Sequence, residues 1–303
     1  MNNIKISVVI GTYNQKDKLK LVLESLIAQT LSPNQYEIIV VDSMSNDGTA
    51  DMISEIISRY PLPVTHYFPQ ENQGRPGARN RGIKEARGEI ILLTDADMLA
   101  DTNLLQEHVK AHEEFRDCCF EGLTYNFKSQ IPENQLPIIE KSNIEPYIKE
   151  RIKPLQKIRW SYFLTGNLSI PKEIIKNAGM FDMDFAGYGW EDIELGYRLN
   201  KSKVPLRYLP SAINYHMHPV SDEEMFKRKH HMGKSAAIFY KKHPNLEIKL
   251  FLGINPIAQT IYKIIKTFPR LQKRIESNTT KSNLNKYLWE EYQYRKGSEE
   301  GLL

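Results

Sequence analysis

The sequence predicts an α/β protein built around a mostly parallel sheet, and three observations support that prediction. Short apolar runs alternate with segments of helical spacing over the first third of the 303-residue chain, which is typical of parallel sheets with crossover helices. The runs are rich in Ile, Val and Leu, as expected for strands buried on both faces. Polar or acidic residues follow three of the runs, so ligand binding is expected where those strands end.

The first two predicted strands both end in polar turns. Residues 4–10 and residues 36–41 form the apolar runs, and each run is followed by a segment with apolar residues at helical spacing. Turn-forming residues directly after a buried strand mark the point where the chain leaves the sheet. The polar residues at these two exits are Thr12, Tyr13, Asn14 and Asp42.

The most informative motif follows the fourth apolar run. Residues 64–68 predict a third strand, and residues 76–86 predict a helix with proline at an early position. Residues 89–93 then lead into Asp95 and Asp97. Two carboxylates at i and i+2 can hold a hard divalent cation, and such a cation can neutralise a diphosphate.

The exits of these strands are expected to lie close together. Parallel strands that follow one another share the same carboxyl edge of a sheet. The turns after the first, second and fourth strands therefore surround one predicted crevice, which contains Thr12, Asp42, Asp95 and Asp97.

The pattern is weaker in the second half of the chain. We predict a strand over residues 162–170, a short helix over 171–178, a helix over 190–200 and a strand over 204–208. The chain is divided into two predicted regions, residues 1–220 and a mostly helical appendage at 221–303.

The appendage is strongly basic. From Lys227 onward the chain has 16 Lys or Arg against 6 Asp or Glu, whereas the whole chain has a formal charge of only +4. Apolar residues interleave with Lys249, Lys263 and Lys266. Helices of this kind can lie on an anionic membrane surface, pack on the main domain or form a homodimer interface. We favour packing, and the other two interpretations stay open.

Composition indicates a cytoplasmic protein. The adjacent Cys118 and Cys119 suit neither a disulfide framework nor a cysteine-based zinc site. No signal peptide and no apolar stretch of membrane-spanning length are visible. We therefore expect a cytoplasmic location, with peripheral contact at the inner face of the membrane as an alternative, and no nucleic-acid partner.

Five blocks together resemble the family 2 glycosyltransferases, nucleotide-sugar enzymes with the fold called GT-A. The resemblance covers about residues 4–220. The blocks are SVVIGTYNQ (7–15), IIVVDSMSNDGT (38–49), NQGRPGARNRG (72–82), LLTDADM (92–98) and GWEDIELGYRL (189–199). The last block, with the HMH that follows it, is also similar to metal-dependent galactosyl- and chondroitin-type transferases.

The resemblance implies a nucleotide site at the predicted crevice. In the family, the Asp that matches Asp42 hydrogen-bonds the uracil ring, and Thr12, Tyr13 and Asn14 would line the same base pocket. Arg79 lies near a predicted helix N-terminus, where the helix dipole favours anions, and we assign it a contact to the nucleotide or diphosphate. An exposed helical cation is the alternative.

The resemblance also implies a metal site. Asp97 is the expected direct ligand, and Asp95 would reach the ribose, or the metal through water. His216 and His218 form a His-x-His on an extended segment, which points both rings to one side. We predict that at least one of them binds Mn²⁺, or alternatively Mg²⁺, because imidazole favours Mn²⁺. The alternative is a pair of surface histidines.

Glu191 and Asp192 are the predicted catalytic pair. The family uses the Asp of this pair as general base, so Asp192 would deprotonate the acceptor hydroxyl and Glu191 would orient the acceptor. The glycines and aromatics before them suit a mobile lid with a platform for a sugar. Acidic residues are also favoured at helix N-termini by the helix dipole, whatever their function.

These expectations combine into an inverting, metal-dependent transfer of a hexosyl or N-acetylhexosaminyl group from a UDP-sugar to an acceptor hydroxyl. The acceptor would be a saccharide, a lipid-linked intermediate or a peptide, in glycan or cell-surface polysaccharide synthesis. Two alternatives are a nucleotidyltransferase and a non-catalytic binding or scaffold protein. The first would need a basic glycine-rich loop after the first strand, and the second should have lost Asp97 or Asp192.

Overall fold

The computed structural model describes residues 4–61, 63–129, 137, 139–148, 150–217 and 221–302. Contacts between residues divide the chain into two compact units. The first comprises the described residues up to 183 together with 195–217. The second comprises residues 184–194 and 221–302.

The first unit is built on one mixed sheet. Its strands are β1 (Ile6–Thr12), β2 (Tyr36–Asp42), β3 (Val64–Pro69), β4 (Ile90–Asp95), β5 (Met98–Ala100), β6 (Cys119–Phe127), β7 (Ile144–Pro146), β8 (Lys157–Ile158), β9 (Leu168–Pro171) and β10 (Leu206–His216). Their order is β3-β2-β1-β4-β9-β6-β10-β5, with β7 beside β6 and β8 beside β10. The pairs among β3, β2, β1 and β4 are parallel, as is β6 with β10, and β9 runs antiparallel to both of its neighbours.

Helices cover both faces of this sheet, and the predicted α/β class is confirmed. They are α1 (Lys16–Ile27), α2 (Thr49–Arg59), α3 (Gly74–Glu85), α4 (Leu104–Glu114), α5 (Lys172–Asn177) and α6 (Glu191–Lys201), of which α6 has residues in both units. Alternation along β1 places Val8 and Ile10 in one apolar core and Val9 in the other. Strands with both faces buried explain the uninterrupted apolar runs in the sequence.

Two predicted strands differ from the structure. The strand expected over 162–170 is wrong in its first half, because Trp160–Tyr162 form a 3₁₀ turn and β9 begins only at Leu168. The strand expected over 204–208 extends to His216, with a register shift between Leu209 and Ile213. Pro210 lies at that irregularity and has no N–H to donate to the ladder.

The second unit is helical, which confirms the predicted helical C-terminal region. Its helices after α6 are α7 (Asp222–Lys242), α8 (Leu246–Phe251), α9 (Pro256–Thr267), α10 (Pro269–Glu276) and α11 (Asn283–Leu302). Helices α7 and α11 pack backbone against backbone: a Cβ at Gly297 would lie 1.9 Å from the His230 carbonyl oxygen, and one at Gly233 would lie 2.0 Å from that of Tyr294. None of the described helices is long and apolar enough to cross a membrane.

Residues 184–194 are held by α7 within this second unit. The Trp190 indole N–H donates to the Met232 carbonyl oxygen at 2.8 Å, and the indole packs against Phe239 and Phe251. Phe185 is fully buried and contacts Phe239 edge to face. The aromatic residues expected to form a sugar platform on a mobile lid therefore include two that anchor this segment to helices.

A buried polar chain crosses the core of the first unit. His112 Nε2 lies 2.8 Å from Ser169 Oγ, which lies 2.8 Å from His108 Nδ1, and His108 Nε2 lies 2.9 Å from Asn167 Oδ1. Asn167 donates through Nδ2 to the Ala212 carbonyl oxygen at 3.0 Å. One arrangement of protons satisfies every bond with both imidazoles neutral: His112 donates to Ser169, Ser169 to His108, and His108 to Asn167.

Acid should destabilise the protein through these two histidines. Burial lowers the pKa of His108 to about 4 and that of His112 to about 3. In the unfolded chain both protonate near the ordinary histidine value, so the unfolded state binds more protons below about pH 6.5 and the free energy of unfolding falls as pH drops. Between about pH 7 and about pH 5 the loss is about 2 kcal/mol for each histidine.

Urea unfolding at the two pH values measures this loss. His112→Gln keeps a hydrogen-bonding side chain that does not titrate, so the loss attributable to the pair should be roughly halved. An unchanged pH dependence in this variant would contradict the assignment.

Candidate active site

Strand register brings the predicted residues of the first unit to one edge. Thr12 lies opposite Asp42 across the β1–β2 pair, and Gly11 lies opposite Asp95 across the β1–β4 pair. The carboxyl ends of three neighbouring strands thus form a continuous edge. The Thr12 side-chain oxygen is buried and has no hydrogen-bond partner among the described residues. A buried hydroxyl of this kind is suited to a polar ligand group.

Asp42 is almost completely buried, at 1% exposure. One carboxylate oxygen accepts from the Ser45 backbone N–H at 3.1 Å and from the Ser45 hydroxyl at 2.5 Å, and the other accepts from the Tyr67 hydroxyl at 2.7 Å. Burial, followed by the bond to Asp42, raises the pKa of Tyr67. A carboxylate has about four acceptor positions, so these bonds leave room for about one more donor.

The turn after β1 is tied to the loop after β2. The Asn14 N–H donates to Ser45 Oγ at 2.8 Å, and Asn14 Oδ1 accepts from the Asn46 N–H at 2.9 Å. Asp47 accepts from the Lys16 N–H at 2.9 Å. Burial alone would raise the pKa of Asp47, but the bonds donated by Thr49 and by the Lys16 N–H lower it overall. Tyr13 is 53% exposed beside this rigid pair of loops.

Arg79 is not the exposed helical cation of the alternative interpretation. Its side chain is 5% exposed, its guanidinium lies 3.0 Å from Asp95 Oδ1, and it stacks over the Phe181 ring. A buried guanidinium fixes the carboxylate with which it pairs. Arg79 therefore orients Asp95 at the end of β4.

Asp97 and His216 meet at the same sheet edge. Strand β10 pairs with β5 so that His216 lies opposite Met98, the residue after Asp97. His216 Nε2 is 3.5 Å from Asp97 Oδ2, and His216 Nδ1 is 3.0 Å from Asn126 Oδ1. If Asn126 accepts the Nδ1 proton, Nε2 presents a lone pair toward the carboxylate. This is the arrangement of metal-binding histidines whose other nitrogen is held by an outer partner.

One of the two predicted metal histidines cannot be placed. His218 lies outside the described residues. Within the part of the chain that the structure describes, no group of three or more His, Cys, Asp or Glu side chains could hold a metal ion. The described protein donors are thus one carboxylate and one imidazole.

The predicted catalytic pair lies in the second unit. Glu191 is 2% exposed and begins α6, and Asp192 follows it with partial exposure. Gly189 and Trp190 precede them with left-handed φ angles of 91° and 71°. A left-handed φ angle is energetically unfavourable for a Trp residue, and the contacts of Trp190 with α7 hold it in this conformation.

Two residues that contact the candidate site were not predicted from the sequence. Tyr67 binds Asp42 from the neighbouring strand, and Asn126 binds His216 across the β6–β10 pair. Only strand pairing between distant segments reveals these contacts, so no local motif could have shown them.

Comparisons with known proteins place the sequence among sugar transferases. It matches the family model described as "Glycosyl transferase family 2" over residues 7–177, which is more than half of the chain. It is 30% identical to the uncharacterized glycosyltransferase YfnE of Bacillus subtilis, over 71% of this chain and 66% of that protein. It is 26% identical to chondroitin synthase of Pasteurella multocida, over 82% of this chain and 28% of that protein. The chain therefore spans less than two thirds of these relatives.

Solved structures share the fold. The mannosyltransferase PcManGT of Pyrobaculum calidifontis, in complex with GDP-Man and Mn²⁺, matches with a TM-score of 0.64 at 16% identity, over 98% of this chain and 87% of that one. TarS of S. aureus, residues 1–349 in complex with UDP, matches with a TM-score of 0.56 at 18% identity, over 98% of this chain and 90% of that one. The predicted GT-A type of fold is confirmed.

Proposed function

Because the chain belongs to glycosyl transferase family 2, we propose that it transfers a sugar from a nucleotide-sugar donor to an acceptor hydroxyl in glycan synthesis. More narrowly, we propose a metal-dependent, inverting transfer from a UDP-sugar. The observation that carries the proposal is the meeting of Asp97 with His216 at the sheet edge where Thr12 and Asp42 also lie. A hexosyl or an N-acetylhexosaminyl group would be transferred, and the acceptor would be a saccharide, a lipid-linked intermediate or a peptide.

The nucleoside would bind beside Asp42. The remaining acceptor position of the Asp42 carboxylate suits the imide N–H of uracil, and the bonds from Ser45 and Tyr67 fix the orientation of that carboxylate. Thr12 offers a buried hydroxyl with no partner among the described residues, and Tyr13 offers an exposed ring. The solved structures with UDP or GDP-Man support a nucleotide ligand on this fold, but not the choice of base.

The side chains that could bind a metal have the chemistry that a divalent cation requires. Asp97 and His216 would hold it, and Asp95, oriented by Arg79, would bind the ribose or a water of the metal. One carboxylate and one imidazole favour Mn²⁺ over Mg²⁺. When bound, the cation supplies positive charge for the diphosphate that leaves.

Asp192 would act as general base. It would accept the proton of the acceptor hydroxyl while the new bond forms from that oxygen to the anomeric carbon. The bond from the anomeric carbon to the diphosphate oxygen breaks, and UDP leaves with the electron pair. Attack opposite the leaving group converts an α-linked donor into a β-linked product. Glu191 would orient the acceptor.

UDP with Mn²⁺ should raise the melting temperature more than GDP or CDP with Mn²⁺. Ligand that binds only the folded state stabilises it by mass action, and Asp42 should favour the uracil imide. Asp42→Asn should reduce the shift with UDP to that with GDP, whereas Asp51→Asn, an exposed change on α2, should not. Equal shifts in melting temperature for all three nucleotides in the native protein would rule out recognition of the base by Asp42.

His216→Ala should raise the Mn²⁺ concentration for half-maximal activity by roughly 100-fold, because it removes a ligand rather than an outer partner. Asn126→Leu should raise it by roughly tenfold, because it removes the partner of Nδ1. His231→Ala, an exposed change on α7, is the matched control. Identical half-saturation in His216→Ala and the native protein would leave Asp97 as the only described protein ligand.

A further inference from the structure

An exposed apolar stripe runs along α9 in the second unit. The helix begins at Pro256, directly after Asn255, whose side chain accepts from the Ala258 N–H at 2.8 Å. The stripe consists of Ile257, Ile261, Ile264 and Phe268, which are 74%, 41%, 46% and 57% exposed. The spacing of four and three residues places the three isoleucines on one face of the helix, and Phe268 follows its last residue, Thr267.

Packing between helices of the second unit accounts for a different face of α9. Tyr262 and Ile265 are buried against Trp289 and Tyr292 of α11. The stripe lies next to that buried face, and the packing against α11 leaves the side chains of the stripe exposed. Tyr287 of α11 is 60% exposed and lines a small apolar cavity of about 60 Å³ together with Ile261. The exposed apolar surface therefore continues from α9 to a tyrosine, a residue enriched at membrane interfaces.

Basic residues interleave with the stripe and follow it along the chain, and one of them, Lys266, pairs with Glu299 of α11 at 2.6 Å. Residues 256–281 contain six Lys or Arg and a single acidic residue, Glu276. Arg270, Lys273 and Arg274 are exposed and share one face of α10, which begins directly after Phe268. Long basic side chains beside exposed isoleucines can keep their charges at the headgroups while the apolar atoms enter the acyl region.

We propose that α9 and α10 dock the protein on an anionic lipid surface. Charge complementarity selects this occupant over a second copy of the chain. A symmetric dimer through the stripe would bring the same cations of both copies together, and like charges oppose such an interface. Anionic headgroups instead attract each Lys or Arg near the surface, while the isoleucines and Phe268 insert below them.

Flotation of the full chain with lipid vesicles tests the proposal. It should float with phosphatidylcholine vesicles that contain phosphatidylglycerol and not with phosphatidylcholine alone, and added salt should weaken binding. Lys273→Gln/Arg274→Gln should weaken binding by roughly 30-fold. Ile261→Ser/Ile264→Ser should weaken it by about tenfold or more, because apolar burial is lost.

Matched controls lie on the first unit. Lys20→Gln/Lys84→Gln removes two exposed charges, and Ile57→Ser/Ile139→Ser removes two exposed isoleucines. Both should bind like the native protein, and melting temperatures should show that all variants are folded. No flotation, equal flotation with neutral vesicles, or equal losses in the controls would overturn the proposal.

Two further measurements distinguish other occupants. A dimer in sedimentation velocity that Ile261→Ser/Ile264→Ser abolishes would assign the stripe to a second copy instead. Binding to soluble polyglutamate as tightly as to anionic vesicles, unaffected by that variant, would assign the region to an acidic protein. Both outcomes contradict the lipid assignment.

Discussion

Replacing Asp97 by Asn is expected to lower kcat/KM by roughly 10³-fold, which corresponds to about 4 kcal/mol of transition-state stabilisation. The amide keeps the size of the side chain but removes the negative oxygen that faces His216 Nε2 at 3.5 Å. With the cation weakly held, the charge of the leaving diphosphate would be poorly neutralised. Sugar transfer from a panel of UDP-sugars, at a fixed Mn²⁺ concentration that just saturates the native protein, measures the loss.

A second readout separates metal binding from catalysis. Mn²⁺ binding to the UDP complex, followed by the electron paramagnetic resonance of the free ion, should weaken in Asp97→Asn in parallel with activity. Asp117→Asn removes an exposed aspartate before β6 and should change neither quantity. Native Mn²⁺ affinity in Asp97→Asn would remove Asp97 from the metal site, even if activity were lost.

Asp192→Asn should lower kcat by roughly 10³-fold, within the usual range for loss of a general base, and leave UDP affinity unchanged. The amide cannot accept the acceptor's proton, whereas the donor site described in the first unit is untouched. Initial rates give kcat, and calorimetry with UDP and Mn²⁺ gives the affinity.

The neighbouring residue provides the comparison for Asp192. Glu191→Gln should mainly raise KM for the acceptor, because Glu191 is proposed to orient it rather than to take its proton. If Asp192→Asn turns over normally and Glu191→Gln does not, the base is Glu191. If both turn over normally, general-base catalysis by this pair is excluded.

The sheet edge that carries Thr12, Asp42 and Asp95 could be predicted from sequence because its determinants are local. Strands β1, β2 and β4 are continuous apolar runs that end in Thr12, Asp42 and Asp95, and parallel pairing brings those ends together. The rules for buried strands and for ligand sites at strand ends need no knowledge of distant contacts. The helical spacing of apolar residues correctly indicated the helices that flank these strands.

Strand β6 and the second half of β10 could not be predicted because their patterns serve long-range contacts. Strand β6 contains Glu121, which is 2% exposed and accepts from the Leu164 N–H at 3.0 Å, and Gly122, which packs closely on Asn167. Polar residues and a glycine break the apolar run by which a strand is recognised. Strand β10 is interrupted in the same way at Pro210.

The proposed metal pair, Asp97 and His216, falls between these two cases. His216 was selected from its local His-x-His pattern and the resemblance, but its position beside Asp97 depends on antiparallel pairing of β10 with β5. The partner that sets its orientation, Asn126, comes from a third strand. The choice of His216 as a ligand stays a prediction, and its bond to Asn126 could not be predicted from the sequence.

The attachment of residues 184–194 to α7, and of α7 to α11, has a consequence for synthesis of the chain. Trp190 and Phe185 find their partners only after α7 has been made, and α7 packs through Gly233 on α11, which ends at Leu302. A ribosome adding roughly 5–20 residues per second needs roughly 5–20 s to make the hundred or so residues from Trp190 to the end of α11. During that interval the two aromatic side chains are available to chaperones, and the segment that carries Glu191 and Asp192 is completed only after α7 and α11. Newly made chains should therefore acquire the proposed nucleotide binding before the proposed sugar transfer.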